Sequence, residues 1–274
     1  MRHGGVERIA ATFAQAREEG RAAFMPYYVV GYPDLPTSLE VMIALVEAGA
    51  DMIEVGVPFS DPLADGPTIQ AATQLALEGG ASLADALQMV YQLRERGVTI
   101  PLILMGYYNP FLAYGVEALC RDAAATGVDG FIVPDLPPDE RDGEEMIACC
   151  QEYGLAFIPL LAPTSTAGRI RLVTQVASGF VYLVSVTGIT GARDRLPADL
   201  EAFVNRVRSA TEKPLAVGFG ISTPEQAARV AEIADGVVVG SALVKLGLSE
   251  EPVSRVRELA ASLAQGVHRV VTQR

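Results

Sequence analysis

The residues most able to do chemistry gather in the stretch "DMIEVGVPFSDPLADGP" (51–67), where Glu54 sits inside an apolar run and Asp61 and Asp65 follow among prolines and glycines. Carboxyls in that setting suit proton transfer. An acid enclosed by apolar groups has its pKa raised towards neutrality, while one on a loop stays ionised. The rest of the sequence sharpens the restriction. The only histidines are His3 and His268, at the two ends, and the only lysines are Lys213 and Lys245. Interior chemistry therefore has carboxylates, tyrosines, arginines and backbone groups to draw on.

Each acid has a plainer reading beside the chemical one. Side chains alternate along a strand, so Glu54 shares its direction with Met52 and Gly56. Directed inward, it becomes a carboxyl able to hold or release a proton near neutrality. The competing reading is a structural carboxylate held by a salt bridge. Asp65 precedes Gly66 and Pro67 at an apparent helix start, where Asp serves either as a cap or as a catalyst. Asp61, directly before Pro62, reads as a turn residue.

A second group of residues suits an anion. "VGFGIS" (217–222) and "VVGSALV" (238–244) both end in Gly/Ser turns at the beginning of helices. Backbone N–H groups of Gly220, Gly240 and Ser241 would hold a phosphate there, and "TGITG" (187–191) would close over it with Gly191. Plain tight turns are the alternative.

These residues need a scaffold, and the hydrophobic pattern supplies one. Strand-like runs occur at 26–33, 51–59, 101–109, 130–137, 156–163, 180–186, 214–221 and 236–243, separated by segments of helical spacing. Eight strand-then-helix units predict a single (β/α)8 TIM barrel spanning the chain, with the barrel over about 24–272 and an extra N-terminal helix over about 5–20. A doubly wound open sheet would want a Gly-rich dinucleotide turn after its first strand, and "VVGYPDLPTS" is not one. The longest insertions follow the second strand (60–82) and the sixth (187–197). In a barrel both fall on the face formed by the strands' C-terminal ends, where active sites are built, and they read as lids.

Composition excludes other classes. A formal net charge of −12 leaves no basic face for nucleic acid. Apolar runs are strand-length, short of the roughly 20 residues of a membrane span. The N-terminal stretch lacks an apolar signal-peptide core, so a cytoplasmic protein is expected. Cys120, Cys149 and Cys150 lie in helical patterns without metal-ligand spacing and read as buried thiols. No metal and no cofactor are expected.

The motifs "IEVGVPFSDPLADGPTIQ", "LMGYYNPF", "VPDLP", "YLVSVTGITGAR", "GFGIS" and "GSALVK" strongly resemble the α subunit of tryptophan synthase, from the first strand to the eighth. The resemblance implies a lyase that cleaves indole-3-glycerol phosphate by a retro-aldol step into indole and glyceraldehyde 3-phosphate. Indole then passes to the β subunit of an αββα complex. It also implies roles. Glu54 and Asp65 match the family's catalytic acids, and Gly191, Gly220, Gly240 and Ser241 its phosphate donors. Tyr27, Met105, Ile132, Tyr182 and Thr190 match positions that bind substrate. Asp61, Pro62, Asn109 and Pro137 match positions that face the β partner. Val29 stands where the family commonly has Thr, and "SVTG" replaces a Ser-Arg found in some members.

Alternatives remain for the sequence to be judged against. One is a stand-alone lyase that releases indole without a partner, and another is a barrel that binds a phosphorylated ligand without turnover. A Schiff-base aldolase is disfavoured because Lys213 precedes the seventh strand, at the opposite face, and Lys245 lies past the eighth within a helical pattern.

Overall fold

The protein was analysed as a computed structural model that describes residues 4–185, 199–218 and 220–269. Among the described residues, nine short parallel strands form one sheet: β1 (Ala23–Val29), β2 (Ile53–Gly56), β3 (Leu102–Met105), β4 (Gly130–Ile132), β5 (Ala156–Phe157), β6 (Leu160–Leu161), β7 (Val181–Val184), β8 (Leu215–Gly218) and β9 (Gly236–Val239). Their spatial order is β5-β4-β3-β2-β1-β9-β8-β7-β6. The two ends of that order are adjacent in sequence, and they are halves of the expected fifth strand. Ile158 N donates to Phe131 O (2.9 Å) on one side, and Pro159 O accepts from Tyr182 N (3.1 Å) on the other. Pro159 has no N–H to give, so the ladder breaks there while the ring closes through it. The architecture is the predicted (β/α)8 TIM barrel.

Helices run between the strands. In chain order they are α1 (Gly5–Glu18), α2 (Leu35–Glu47), α3 (Pro67–Glu78), α4 (Leu83–Glu95), α5 (Tyr108–Tyr114), α6 (Val116–Thr126), α7 (Arg141–Tyr153), α8 (Ala167–Val176), α9 (Leu200–Arg208), α10 (Pro224–Ala231), α11 (Ser241–Val244) and α12 (Pro252–His268). Several start where the sequence supplies a cap. The Asp34 side chain accepts from Thr37 N at α2, and capping boxes Ser82/Asp85 and Thr223/Gln226 open α4 and α10. The strands are nearly all apolar because a parallel sheet in a barrel is covered on both faces.

Every strand ends earlier than its hydrophobic run predicts. The ladder stops at Val29, Gly56, Met105, Ile132, Leu161, Val184, Gly218 and Val239, and the residues beyond form the turns of the mouth. The insertion 60–82 is also more ordered than a lid loop, since most of it is α3.

Helix α1 closes the other end. Ile9 and Phe13 are buried, and Phe13 meets Phe180 at 5.6 Å between ring centroids. Arg8 pairs with Asp129, directly before β4, and Gly5 N donates to Gly154 O before β5. These contacts all involve residues preceding strands, so α1 plugs the base.

Candidate active site

Glu54 faces inward and lines the cavity of the barrel mouth. It pairs in register with Tyr27 of β1 and Ile103 of β3, and it is 1% exposed. Neither carboxyl oxygen has a hydrogen-bond partner among the described residues. The salt-bridged reading is thereby excluded for those residues. Burial alone raises the carboxyl to about 8, so it is protonated at neutral pH.

Asp65 reaches the same cavity from the loop after β2. The cap reading does not hold: the N-cap of α3 is Gly66, with no side-chain cap bond, and Pro67 begins the helix. Instead the Tyr107 hydroxyl donates to Asp65 Oδ2 (2.9 Å) and accepts from Ala64 N (2.9 Å). The Tyr107 ring also lies 5.5 Å from Phe59. One tyrosine after β3 thus fixes the loop at three points. Burial raises the Asp65 carboxyl to about 6, and the Tyr107 hydrogen bond opposes that rise. Asp65 is therefore mostly ionised at neutral pH, two units below Glu54.

Two tyrosines complete the acid end. Tyr27 stands opposite Glu54 and Tyr182 opposite Ala216, yet each ring leans towards the mouth over the glycine two residues farther along the neighbouring strand. A Cβ on Gly56 would lie 2.4 Å from the Tyr27 hydroxyl, and one on Gly218 would lie 2.0 Å from that of Tyr182. Those two glycines make the space the rings occupy. Burial raises both phenols well above the ordinary value, and the negative charges of Glu54 and Asp65 add to the rise.

The cavity these groups line has a volume of about 210 Å³. Glu54, Asp65, Tyr27, Met105 and Tyr182 line it together with Gly220, Gly240 and Ser241, and Gly240 packs against the Tyr27 ring, where a Cβ would lie 3.3 Å from it. Gly220 has φ +80°, a backbone conformation that favours glycine and turns the chain after β8 back towards the cavity. Ser241 opens the single turn α11 after β9.

Other expected residues fall elsewhere. Ile132 is completely buried at the end of β4, in register with Met105, and lies outside the cavity wall. Thr190 and Gly191 lie outside the described residues. Asp61, Asn109 and Pro137 are exposed and Pro62 half-buried, all in segments that follow the C-terminal ends of β2, β3 and β4. Asp61 does make a turn, its backbone oxygen accepting from Leu63 N (2.9 Å). Val29, in place of the family's Thr, is buried.

Sequence reasoning missed four contributors. Tyr107 gave a signal only as part of "LMGYYNPF". Gly56 and Gly218 would have needed the register to be known. Lys245 had been set aside as a residue of a helix beyond the eighth strand, but α11 is one turn long and a 3-10 turn (Lys245–Leu248) follows it, which brings Lys245 to the cavity wall. Lys213 is at the base as expected, its ammonium donating to the carbonyls of Thr174 and Ala177. The three cysteines are free and buried. No group of described residues could hold a metal ion, and no described helix is long and apolar enough to cross a membrane.

A closed parallel barrel whose mouth gathers a buried acid, a loop acid and the turns after its last two strands around one cavity has the architecture of the (β/α)8 enzyme class. Comparison with known proteins narrows the class. The family model described as tryptophan synthase alpha chain matches residues 13–270. The tryptophan synthase alpha chain of Chloroflexus aurantiacus is 50% identical over 260 residues, covering 95% of this chain and 97% of that one. That of Geobacter sulfurreducens is 52% identical over 241 residues, covering 88% and 90%. Among solved structures, a tryptophan synthase chain from Mycobacterium tuberculosis superposes with a TM-score of 0.89 at 44% identity, covering 96% of this chain and 99% of that one. The alpha subunit from Legionella pneumophila gives 0.88 at 36% identity, covering 96% and 99%. The chain belongs to the tryptophan synthase alpha chain family, a family of lyases.

Proposed function

We propose that the chain cleaves indole-3-glycerol phosphate into indole and glyceraldehyde 3-phosphate, with Glu54 and Asp65 dividing the proton chemistry. Protonated Glu54 gives its proton to C3 of the indole ring, which leaves an indolenine with positive charge at the ring nitrogen. Ionised Asp65 accepts a hydrogen bond from that N–H and stabilises the charge. The bond between C3 and the glycerol chain then breaks. Its electron pair returns to the ring, and the hydroxyl on the departing carbon loses its proton to the Glu54 carboxylate, giving the aldehyde. Glu54 ends protonated, as it began, and no cofactor is consumed. The two roles need pKa values on opposite sides of neutrality, and the environments supply values of about 8 and about 6.

The phosphate goes to the backbone N–H groups of Gly220, Gly240 and Ser241, with Thr190 and Gly191 closing over it. Tyr27, Met105 and Tyr182 flank the indole, and Ile132 backs Met105 from the next strand. The partner is a tryptophan synthase beta subunit in an αββα assembly, seated on Asp61, Pro62, Asn109 and Pro137 around the mouth. Leu63, 89% exposed, and Leu112, 52% exposed, lie in those same segments and suit burial by another chain.

The observation that carries the reading is an unpaired, buried glutamate sharing one cavity with Asp65 and the glycine turns. The test is indole release from indole-3-glycerol phosphate by the full chain, alone and with added beta subunit. Activity that rises with the beta subunit is expected. A chain equally fast without it would favour the stand-alone lyase, and a chain that binds the ester without releasing indole would make it a binding subunit.

A further inference from the structure

We infer that Lys245 is a binding residue for the phosphate end of the substrate, supplying the positive charge that backbone donors lack. The inference rests on the proposed function and deepens it. Of the described residues lining the cavity, Glu54 and Asp65 are acidic and Lys245 is the single cation. Its place follows from the chain path. Ser241 and Lys245 are four residues apart on one continuous run of α11 and the 3-10 turn after it, so they project to the same side. Ser241, Ala242 and Lys245 all line the cavity. Lys245 therefore lines the cavity beside Ser241, on the segment that follows the C-terminal end of β9, away from the structural base of the barrel.

Its side chain is also uncommitted. Lys213 is held by backbone carbonyls, whereas Lys245 makes no ion pair or hydrogen bond with any described residue. An ammonium on a long flexible stem can follow a phosphate as it enters. The need for it is electrostatic. A phosphate monoester carries about −1.5 to −2 at neutral pH. The chain carries a formal net charge of −12, and the cavity itself holds two acids. Backbone N–H groups supply directed hydrogen bonds without net charge, so they orient the ester but do little to offset that repulsion.

The role predicts a split between kinetic constants. With the full chain and indole-3-glycerol phosphate, Lys245→Gln should raise KM about tenfold or more, the scale of a lost charge-assisted hydrogen bond, while kcat stays within about threefold. Added salt should raise the wild-type KM and affect that of Lys245→Gln less. Lys245→Arg should restore most of the affinity. Inorganic phosphate, used as a competitive inhibitor, should weaken in parallel in Lys245→Gln. An unchanged KM and unchanged phosphate inhibition in Lys245→Gln, or a loss confined to kcat, would overturn the inference while leaving the proposed function standing. If the wild-type chain released no indole, the proposed function would fall. Phosphate binding measured directly would then still judge Lys245, since weaker binding in Lys245→Gln supports the role and equal binding overturns it.

Discussion

Asp51 and Glu54 are three residues apart and have opposite environments. Asp51 lies just before β2, at the base of the barrel. Its carboxylate receives both terminal nitrogens of Arg21 (2.8 Å each), the backbone N–H of Phe24 (2.8 Å) and the His268 ring (3.0 Å). Burial pushes its pKa up, but those bonds bring the net below the ordinary value. Glu54, one turn of the pleat inward, has no partner among the described residues, and burial alone governs it. The base repeats the pairing, although for Asp129 burial outweighs its partners and leaves the carboxyl raised. Asp129 before β4 takes Arg94, Arg8 and Leu102 N, and Asp235 before β9 takes Arg208 and Leu215 N. In each case an acid at the strand entrance accepts the N–H of the neighbouring strand and holds an arginine. The base uses its charges to hold strands together, whereas at the mouth neither Glu54 nor Asp65 forms an ion pair with any described residue, which suits both to proton transfer.

The strongest way to break this contrast is to neutralise Glu54. Glu54→Gln keeps the shape and removes the proton donor, so turnover should fall at least about 10³-fold while binding of a non-cleavable phosphorylated indole analogue persists. The same substitution should stabilise the fold. A carboxyl whose folded pKa is raised contributes stability below its unfolded pKa and loses it as pH rises through the folded one. Between about pH 4.5 and 8 the wild type thus pays a growing cost that Glu54→Gln escapes, on the order of 3 kcal/mol at pH 7. Thermal melting against pH reads it. Near-normal turnover, or no gain in melting temperature as pH rises, would mean that Glu54 is partnered in solution.

Asp51→Asn should do the converse. It leaves Arg21 without its bidentate partner at the base and should cost about 3 kcal/mol of stability, with kcat changed little. Because the Asp51 pKa is lowered in the fold, its contribution is present above the unfolded value and is lost as pH falls through the folded one. The destabilisation should accordingly shrink in acid. Chemical denaturation at pH 7 and pH 3.5 measures this, and a large loss of turnover in a stable Asp51→Asn protein would erase the division between base and mouth.

The sequence made parts of this division legible and concealed others. Glu54 stood out because a carboxylate inside "MIEVGV" has no solvent face to occupy, and the eight β-branched runs announced a barrel. Strand ends were concealed because apolar and aromatic residues continue past the last ladder bond. The run "PLILMGYYN" is strand only to Met105, and by Tyr108 it has become helix α5. Asp65 could not be decided locally. Gly66 takes the cap, and the group that orients Asp65 is a hydroxyl 42 positions away. The glycines under the two tyrosines were hidden for a similar reason, since a ring leaning across a strand is set by register, which no single strand encodes.

Asp65 should be sensitive in kind but less so in degree than Glu54. Asp65→Asn keeps a hydrogen-bond acceptor at the ring nitrogen but loses the charge, and turnover should fall about 10²-fold with the fold intact. Gly218→Ala tests the other support of the mouth. Its methyl would take the place of the Tyr182 hydroxyl, so the ring must move, and activity should drop while the arginine-bound base remains as stable to local exchange as before.

The smallest expected effect is the most informative about pKa. The proposed chemistry requires Asp65 ionised and Glu54 protonated, so the profile of kcat/KM should rise through about pH 6 and fall through about pH 8. Tyr107 acts on the first limb alone. Its hydroxyl stabilises the Asp65 carboxylate, and Tyr107→Phe removes that hydrogen bond while keeping the ring against Phe59. The Asp65 pKa should rise, moving the acid limb to higher pH by about one unit and leaving the alkaline limb in place. At pH 8 the rate should be almost unchanged, because there most of the carboxylate is ionised in either protein, and at pH 6 it should fall about fivefold. A uniform loss across the range would instead assign Tyr107 to holding the loop through Ala64 N, with no part in tuning the acid.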